Sequence, residues 1–242
     1  MIETFFFTFW TKLFSNPDDF FQKYLPGNKK WPPYFVLTLI VFGISYGIDR
    51  IDAQLIKNDL KGNLDEIPFI NNWLGYWIMA IIGGVMGGSI LYLIGSWFFN
   101  VRLKWSKGTG NITKSRFIFL YSGVIYGWVI ILVTFTGMLL NPKPYDPDSD
   151  INLWDLSTLC IQLFFVYYSI YVSYCGVRSI TDADKFRRKI WFLILPVVFY
   201  TILYITLFVL VFNYIKSLPD NLSFPDDSPF ALCMPSFETG VN

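Results

Sequence analysis

Charge-free, largely apolar stretches run over residues 31–48 (18 residues), 67–101 (35), 117–142 (26), 156–177 (22) and 190–215 (26), and the segments between them hold nearly all the charge. At 1.5 Å rise per helical residue, roughly 20 residues cross the ~30 Å hydrocarbon core. A helix is the only open-chain form that satisfies every backbone amide there. The pattern therefore predicts an all-α polytopic membrane protein: a bundle of five transmembrane helices at about 31–49, 73–99, 117–140, 154–178 and 190–215, in one domain over residues 31–216. The second stretch is longer than a crossing needs, which implies tilt or a helical extension beyond the lipid. Trp31, Tyr34, Trp73, Tyr76, Trp77, Trp97, Trp154, Trp191 and Tyr214 fall where headgroups meet the stretches, as interfacial aromatics do.

A different pattern precedes the first span. Phe6, Phe9, Trp10, Leu13 and Phe14 share one helical face and Thr4, Thr8, Thr11 and Ser15 another, which predicts a short amphipathic helix lying in the membrane interface. With no basic residues ahead of this apolar run and no small-residue cleavage site, it is expected to be retained rather than removed as a signal peptide. Asn16-Pro17-Asp18-Asp19 reads as a second helix start, with a side-chain cap, a fixed φ and carboxylates against the positive dipole end. Its Phe20, Phe21 and Tyr24 are expected on the inner membrane surface. Residues 1–30 thus form an amphipathic N-terminal segment, and residues 217–242, with Pro219, Pro225, Pro229 and Pro235, an extended outer tail.

Composition narrows the function classes. Of 242 residues, 54% are hydrophobic, 20% aromatic and 15% charged, far from the balance of a water-soluble globule. A net charge of +1 offers no bulk attraction to nucleic acid. Histidine is absent, removing the commonest general base and metal ligand and every His-containing triad. Cys160, Cys175 and Cys233 are too scattered for a disulfide framework or a CxxC metal site. No ionisable residue lies well inside a span, which disfavours proton-coupled transport and intramembrane proteolysis. Neither an enzyme activity nor a cofactor or metal is expected.

Charge also sets orientation. The N-terminal segment and the second and fourth connections carry 14 Lys and Arg against five on the other side, so the positive-inside rule places the N-terminus in the cytoplasm and the C-terminus outside. The inner patches are Arg102, Lys104, Lys107, Lys114 and Arg116, and Arg178, Lys185, Arg187, Arg188 and Lys189. Anionic lipid headgroups or a cytoplasmic partner are their expected contacts. Gly108-Thr109-Gly110 lacks the order of a phosphate-binding loop. Asp146, Asp148 and Asp150 begin like a calcium loop, but Ile151 and Ser157 stand where Gly and Glu are needed. Thr181 with Asp184 resembles a capping box.

Small residues supply the helix-packing signal. Gly43 and Gly47, Gly83 and Gly87, Gly84 and Gly88, and Gly123 and Gly127 have GxxxG spacing, and Ala80, Gly84, Gly88 and Gly95 line one stripe. Lipid tails give helices no hydrophobic reason to associate, so close contact arises where small residues let backbones approach. Packing within the chain is expected, with a homo-oligomer or another membrane protein as the other user of these faces. Ser169, Ser173 and Gly176 continue the theme. Pro196 removes one backbone bond near the start of the fifth span and predicts a kink, with a hinge as the alternative.

Residues 16–21 (Asn-Pro-Asp-Asp-Phe-Phe), 87–95 (Gly-Gly-Ser-Ile-Leu-Tyr-Leu-Ile-Gly), the glycine-containing basic loop leading to Ser115-Arg116-Phe117, and 168–178 (Tyr-Ser-Ile-Tyr-Val-Ser-Tyr-Cys-Gly-Val-Arg) together resemble the Yip1 family of five-span membrane proteins, particularly its bacterial branch. The resemblance implies a scaffold-like role in assembly or trafficking without catalytic residues, in a bacterial inner membrane, with a Golgi- or ER-type membrane as the alternative. Eukaryotic members bind Rab-type GTPases. The Asp-Leu-x-Gly-Pro segment preceding their first span is missing here, so a GTPase partner is not carried over. A channel or transporter component with an uncharged pathway is the alternative reading.

Overall fold

A computed structural model describes residues 2–25, 32–63, 67–141, 143–146 and 153–217. The expectations for Trp31, Asp148, Asp150, Cys233 and the tail beyond Ser217 lie outside the described residues. Among the described residues the elements are helices and turns: α1 (Ile2–Ser15), α2 (Pro17–Tyr24), α3 (Phe35–Asp59), α4 (Trp73–Trp105), α5 (Ile112–Leu140), α6 (Leu153–Ile180), α7 (Lys185–Lys189), a π-helical turn (Ile190–Ile194) and α8 (Leu195–Ser217). The chain divides into two units, Met1–Val197 and Val198–Asn242. In the second, the described part is the remainder of α8, where Val198, Phe199, Ile202, Phe208 and Leu210 are exposed.

Four segments are long and apolar enough to cross a bilayer: Trp73–Trp105, Ile112–Leu140, Leu156–Ile180 and Lys185–Leu210. The stretch expected as the first span forms the front of α3, which starts after Tyr34, in a left-handed conformation at φ 55°. This helix does not stop where the charges begin but runs on to Asp59.

Most helix starts follow the capping rule that orphan N–H groups need acceptors. Asn16 accepts from the Asp19 N–H, Asn72 from Leu74, Asn111 from Thr113 and Lys114, and Asp184 from Arg187. The last case corrects the expected capping box. Asp184 is itself the cap, while the Thr181 hydroxyl donates to the Val177 carbonyl at 2.6 Å and closes the preceding helix.

A second correction concerns the N-terminal helices. Phe9, Leu13, Phe20 and Phe21 are fully buried and Tyr24 nearly so. Phe9 meets Phe20, Tyr34 and Tyr121 with ring centroids 4.9, 5.0 and 5.8 Å apart, and Phe20 stacks on Phe117 at 6.1 Å. Trp10 reaches Trp128, halfway along α5, at 6.0 Å. The apolar face is real, but the protein core covers it rather than the membrane surface. Edge-to-face aromatic pairs, each worth about 0.5–1.5 kcal/mol beyond burial, fix α1 and α2 against α5.

Proline 196 proves to be part of a register change. The Leu195 N–H bonds to the Ile190 carbonyl, five residues back, so the chain widens by one residue immediately before the proline that has no N–H to give.

Candidate functional site

Three regions built by the fold are candidates for function: a glycine seam, a basic end and an acidic end. The seam joins α3 to α4. A Cβ on Gly47 would lie 2.4 Å from the Ala80 carbonyl oxygen and 2.8 Å from the Gly84 Cα, and one on Gly88 would lie 2.5 Å from the Gly43 Cα. One on Gly43 would lie 2.6 Å from the Val85 Cα. Here backbone meets backbone, closer than any side chain allows. The other small residues face rings or a hydroxyl: Gly87 the Tyr46 ring, Gly95 the Phe119 ring, Gly123 the Phe42 ring, and Gly127 the Ser45 hydroxyl. Gly83 faces open space. Two further glycines, Gly75, which the spacing did not single out, and Gly176, which continues the small-residue theme, also have crowded surroundings. Gly75 closes on the Phe69 backbone, and Gly176 lies against Ile118 and Phe21.

At the basic end, the N-terminal helices and the two basic loops are bonded to one another. Arg178 forms a bidentate ion pair with Asp18, its Nε 3.1 Å from Oδ1. The Thr109 N–H and hydroxyl both donate to Asp182 Oδ1 at 3.1 Å, the Asp184 N–H donates to the Ser106 carbonyl at 2.9 Å, and Lys114 Nζ donates to the Ile180 carbonyl at 2.6 Å. The two bonds from Thr109 hold Asp182 below the usual carboxylate range, so this latch is ionised at neutral pH.

Several of the ten basic residues are thus turned inward. Arg102 donates to the Trp191 carbonyl and lies over the Phe192 ring, 4.7 Å from its centroid. Arg188 donates to the Arg178 carbonyl at 3.4 Å. Lys104, Lys107, Arg116, Lys185, Arg187 and Lys189 are exposed. Among these, Lys104 and Arg187 flank an open groove of about 500 Å³ whose other walls are Trp105, Trp191 and Ile190. The two indoles pack with centroids 4.9 Å apart.

The acidic end has no counterpart in the sequence expectations. Beyond the charge-free part of α3, Asp52 accepts from the Tyr76 hydroxyl at 2.7 Å, and Asp59 accepts from the Tyr145 hydroxyl at 2.9 Å. The Tyr145 N–H donates to the Asn71 side chain at 3.0 Å. Between α3, α4, α5 and α6 lies a cavity of about 280 Å³, lined by Asp52, Tyr76, Thr134, Tyr145, Trp154 and Thr158 among others, with Lys143 also on its wall. The available signal was Asp49 and Asp52, spaced i and i+3 just past a glycine-rich helix. Read as the start of a polar loop, they gave no reason to expect a wall.

Among the described residues no cluster of three or more His, Cys, Asp or Glu could hold a metal. Cys160 is exposed and Cys175 buried. The family model described as Yip1 domain matches residues 11–210. No curated protein and no solved structure matches the chain.

Proposed function

The chain belongs to the Yip1 family, and from that premise we propose that it is a non-enzymatic integral membrane scaffold, an assembly or trafficking-type factor, crossing the bilayer five times with its N-terminus in the cytoplasm. The observation that carries this reading is the bonded basic end, where helices and loops distant in sequence are locked into one platform that still presents Lys104 and Arg187 beside a pair of indoles. Such a face suits anionic lipid headgroups, with the indoles at the interface and the cations beyond them.

Helix α3 serves as the fifth crossing. It runs antiparallel to α4, meeting it at Phe35 with Tyr92 and at Asp52 with Tyr76. That is about 25 Å of shared length at 1.5 Å per residue. A helix that accompanies an apolar neighbour over this distance shares its membrane depth. Cytoplasmic orientation follows from the basic residues gathered at the end that also holds α2.

Two measurements test the reading. In native mass spectrometry of protein extracted from mixed vesicles, phosphatidylglycerol is expected to be retained over phosphatidylethanolamine. The pair Lys104→Gln and Arg187→Gln should weaken that preference about thirtyfold, at about 1 kcal/mol per cation near an anionic surface. An unchanged preference would remove the lipid contact. In a glycosylating membrane Asn111 is expected to stay bare while Asn221 is modified, and sugar on Asn111 would reverse the orientation. Cross-linked pull-down from native membranes should bring down a protein partner or a second copy; a consistently solitary monomer, or a substrate-selective flux in liposomes, would replace the scaffold reading with another.

A further inference from the structure

The cavity at the acidic end carries an inference independent of the scaffold reading. Asp52 stands in its wall with Oδ1 accepting from Tyr76, and no described residue donates to its Oδ2. Among the described residues the one salt bridge is Arg178 with Asp18; Lys143 lines the same cavity but is not ion-paired with Asp52. A half-buried carboxylate without a counter-ion is costly, and an ionisable group at the edge of a transmembrane bundle marks a functional site by default.

The surrounding chemistry specifies the occupant. Of the aromatic residues in its lining, Tyr145 and Trp154 are half-buried and Tyr76 is fully buried. Tyr76 holds Asp52 through its hydroxyl, and Tyr145 is anchored at its hydroxyl by Asp59 and at its backbone by Asn71, so the carboxylate and the Tyr145 ring are in place before anything binds. Aromatic faces with one carboxylate are the recognition chemistry of an organic ammonium. The one carboxylate among the described lining residues supplies too few oxygens for a calcium or magnesium cage. A volume of about 280 Å³ lies at the small end of the ligand-pocket range, which fits a headgroup-sized amine. Thr134 and Thr158 add hydroxyl oxygens to the lining.

We propose that this cavity binds an organic ammonium group, with Asp52 as its counter-ion and Tyr145 and Trp154 as the faces against which it rests. A free amine and the headgroup of an ethanolamine or choline lipid share this chemistry, and the experiment separates them.

The full-length protein, purified in maltoside detergent, is titrated calorimetrically with choline and with its neutral isostere 3,3-dimethylbutanol. A parallel series in nanodiscs compares retained phosphatidylethanolamine and phosphatidylcholine with phosphatidylglycerol. Choline is expected to saturate one site and the isostere to bind at least about tenfold more weakly, the scale of a charge-assisted contact. Asp52→Asn keeps an acceptor for Tyr76 and is expected to reduce choline to the level of the isostere. Trp154→Leu, which leaves Asp52 in place, should weaken choline several-fold and leave the isostere unchanged. Retention of the zwitterionic lipids, lost in Asp52→Asn, with no response to free choline would assign the same site to a lipid headgroup. Equal binding of choline and isostere, choline affinity unaltered by both substitutions, or no response to either free or lipid-borne ammonium would overturn the proposal.

Discussion

Gly47→Ala is expected to lower the melting temperature of the detergent-solubilised protein, while Gly83→Ala, a chemically identical change on the facing helix, leaves it level or raises it. At position 47 the new methyl would stand 2.4 Å from the Ala80 carbonyl oxygen and 2.9 Å from the Ala80 Cα. These are backbone atoms, which cannot rotate away, so α3 and α4 must separate along the seam. Overpacking of this kind costs about 1–3 kcal/mol, against which the better helix propensity of alanine returns up to about 1 kcal/mol. At position 83 nothing lies within 4 Å, so only the propensity gain remains. The propensity gain is common to both, so the two variants should differ by the overpacking cost, on the order of 1–3 kcal/mol, and Gly84→Leu should prevent the seam from closing altogether, since a Cβ there already meets the Gly43 carbonyl oxygen at 2.6 Å. Melting curves followed by fluorescence-detected size exclusion would show the order Gly84→Leu, Gly47→Ala, wild type, Gly83→Ala from least to most stable. Equal stabilities for the two alanine variants would mean that α3 and α4 are not apposed in the membrane as they are here.

The same seam shows where sequence reading ends. GxxxG spacing is visible without a structure, but Gly83 with Gly87 and Gly84 with Gly88 overlap one residue apart. At 3.6 residues per turn the two pairs point about 100° apart: Gly84 and Gly88 meet the α3 backbone, Gly87 meets only the Tyr46 ring of α3, and Gly83 meets nothing. Only the placement of Gly43 and Gly47 decides for Gly84 and Gly88. The apolar faces of α1 and α2 were equally legible, but an apolar face does not record whether lipid or protein covers it. Phe9 and Phe20 lie against Tyr121 because the chain turns back at Asn16, and the helix start was readable whereas the docking was not.

Charge was read correctly as residue type and incompletely as destination. Lys114 and Arg102 look like Lys104 and Arg187 in the sequence, but backbone carbonyls from residues 66 and 89 positions away claim the first two. The charge-free stretch ends at Ile48 and predicts a first span ending at about 49, but the helix that carries it runs on to Asp59. Helices end for want of hydrogen bonds and caps rather than because a charge is met, and α3 continues because Asp52 and Asp59 find tyrosine hydroxyls on neighbouring segments. The acidic cavity was invisible for the same reason: its walls come from positions 52, 76, 145 and 154, with no local motif to join them.

Replacing Arg102 by methionine is expected to cost about 2–4 kcal/mol, more than the loss of a surface cation explains, because the side chain completes a backbone that cannot complete itself. In an uninterrupted α-helix the Trp191 carbonyl would accept from the Leu195 N–H. That N–H goes instead to Ile190, and the next donor along, residue 196, is a proline without one. Arg102 fills the gap by donating to the Trp191 carbonyl, with its guanidinium held over Phe192 at 4.7 Å and Phe99 at 5.9 Å. Methionine preserves much of the apolar stem but leaves a half-buried acceptor unpaired, worth about 1–3 kcal/mol, and removes a cation–π contact of about 0.5–2 kcal/mol. Lysine should recover part of the loss, since it donates but lacks the planar fork that lies flat on a ring. The decisive variant is Pro196→Ala. Restoring an N–H at 196 gives the chain its own donor for the freed carbonyls, so Arg102→Met should cost about 1 kcal/mol less in that background than in the wild type. Unfolding in mixed micelles for the four proteins of this cycle measures the coupling, and strict additivity would show that Arg102 stabilises α4 and the π-helical turn by something other than the carbonyl that the proline leaves unpaired.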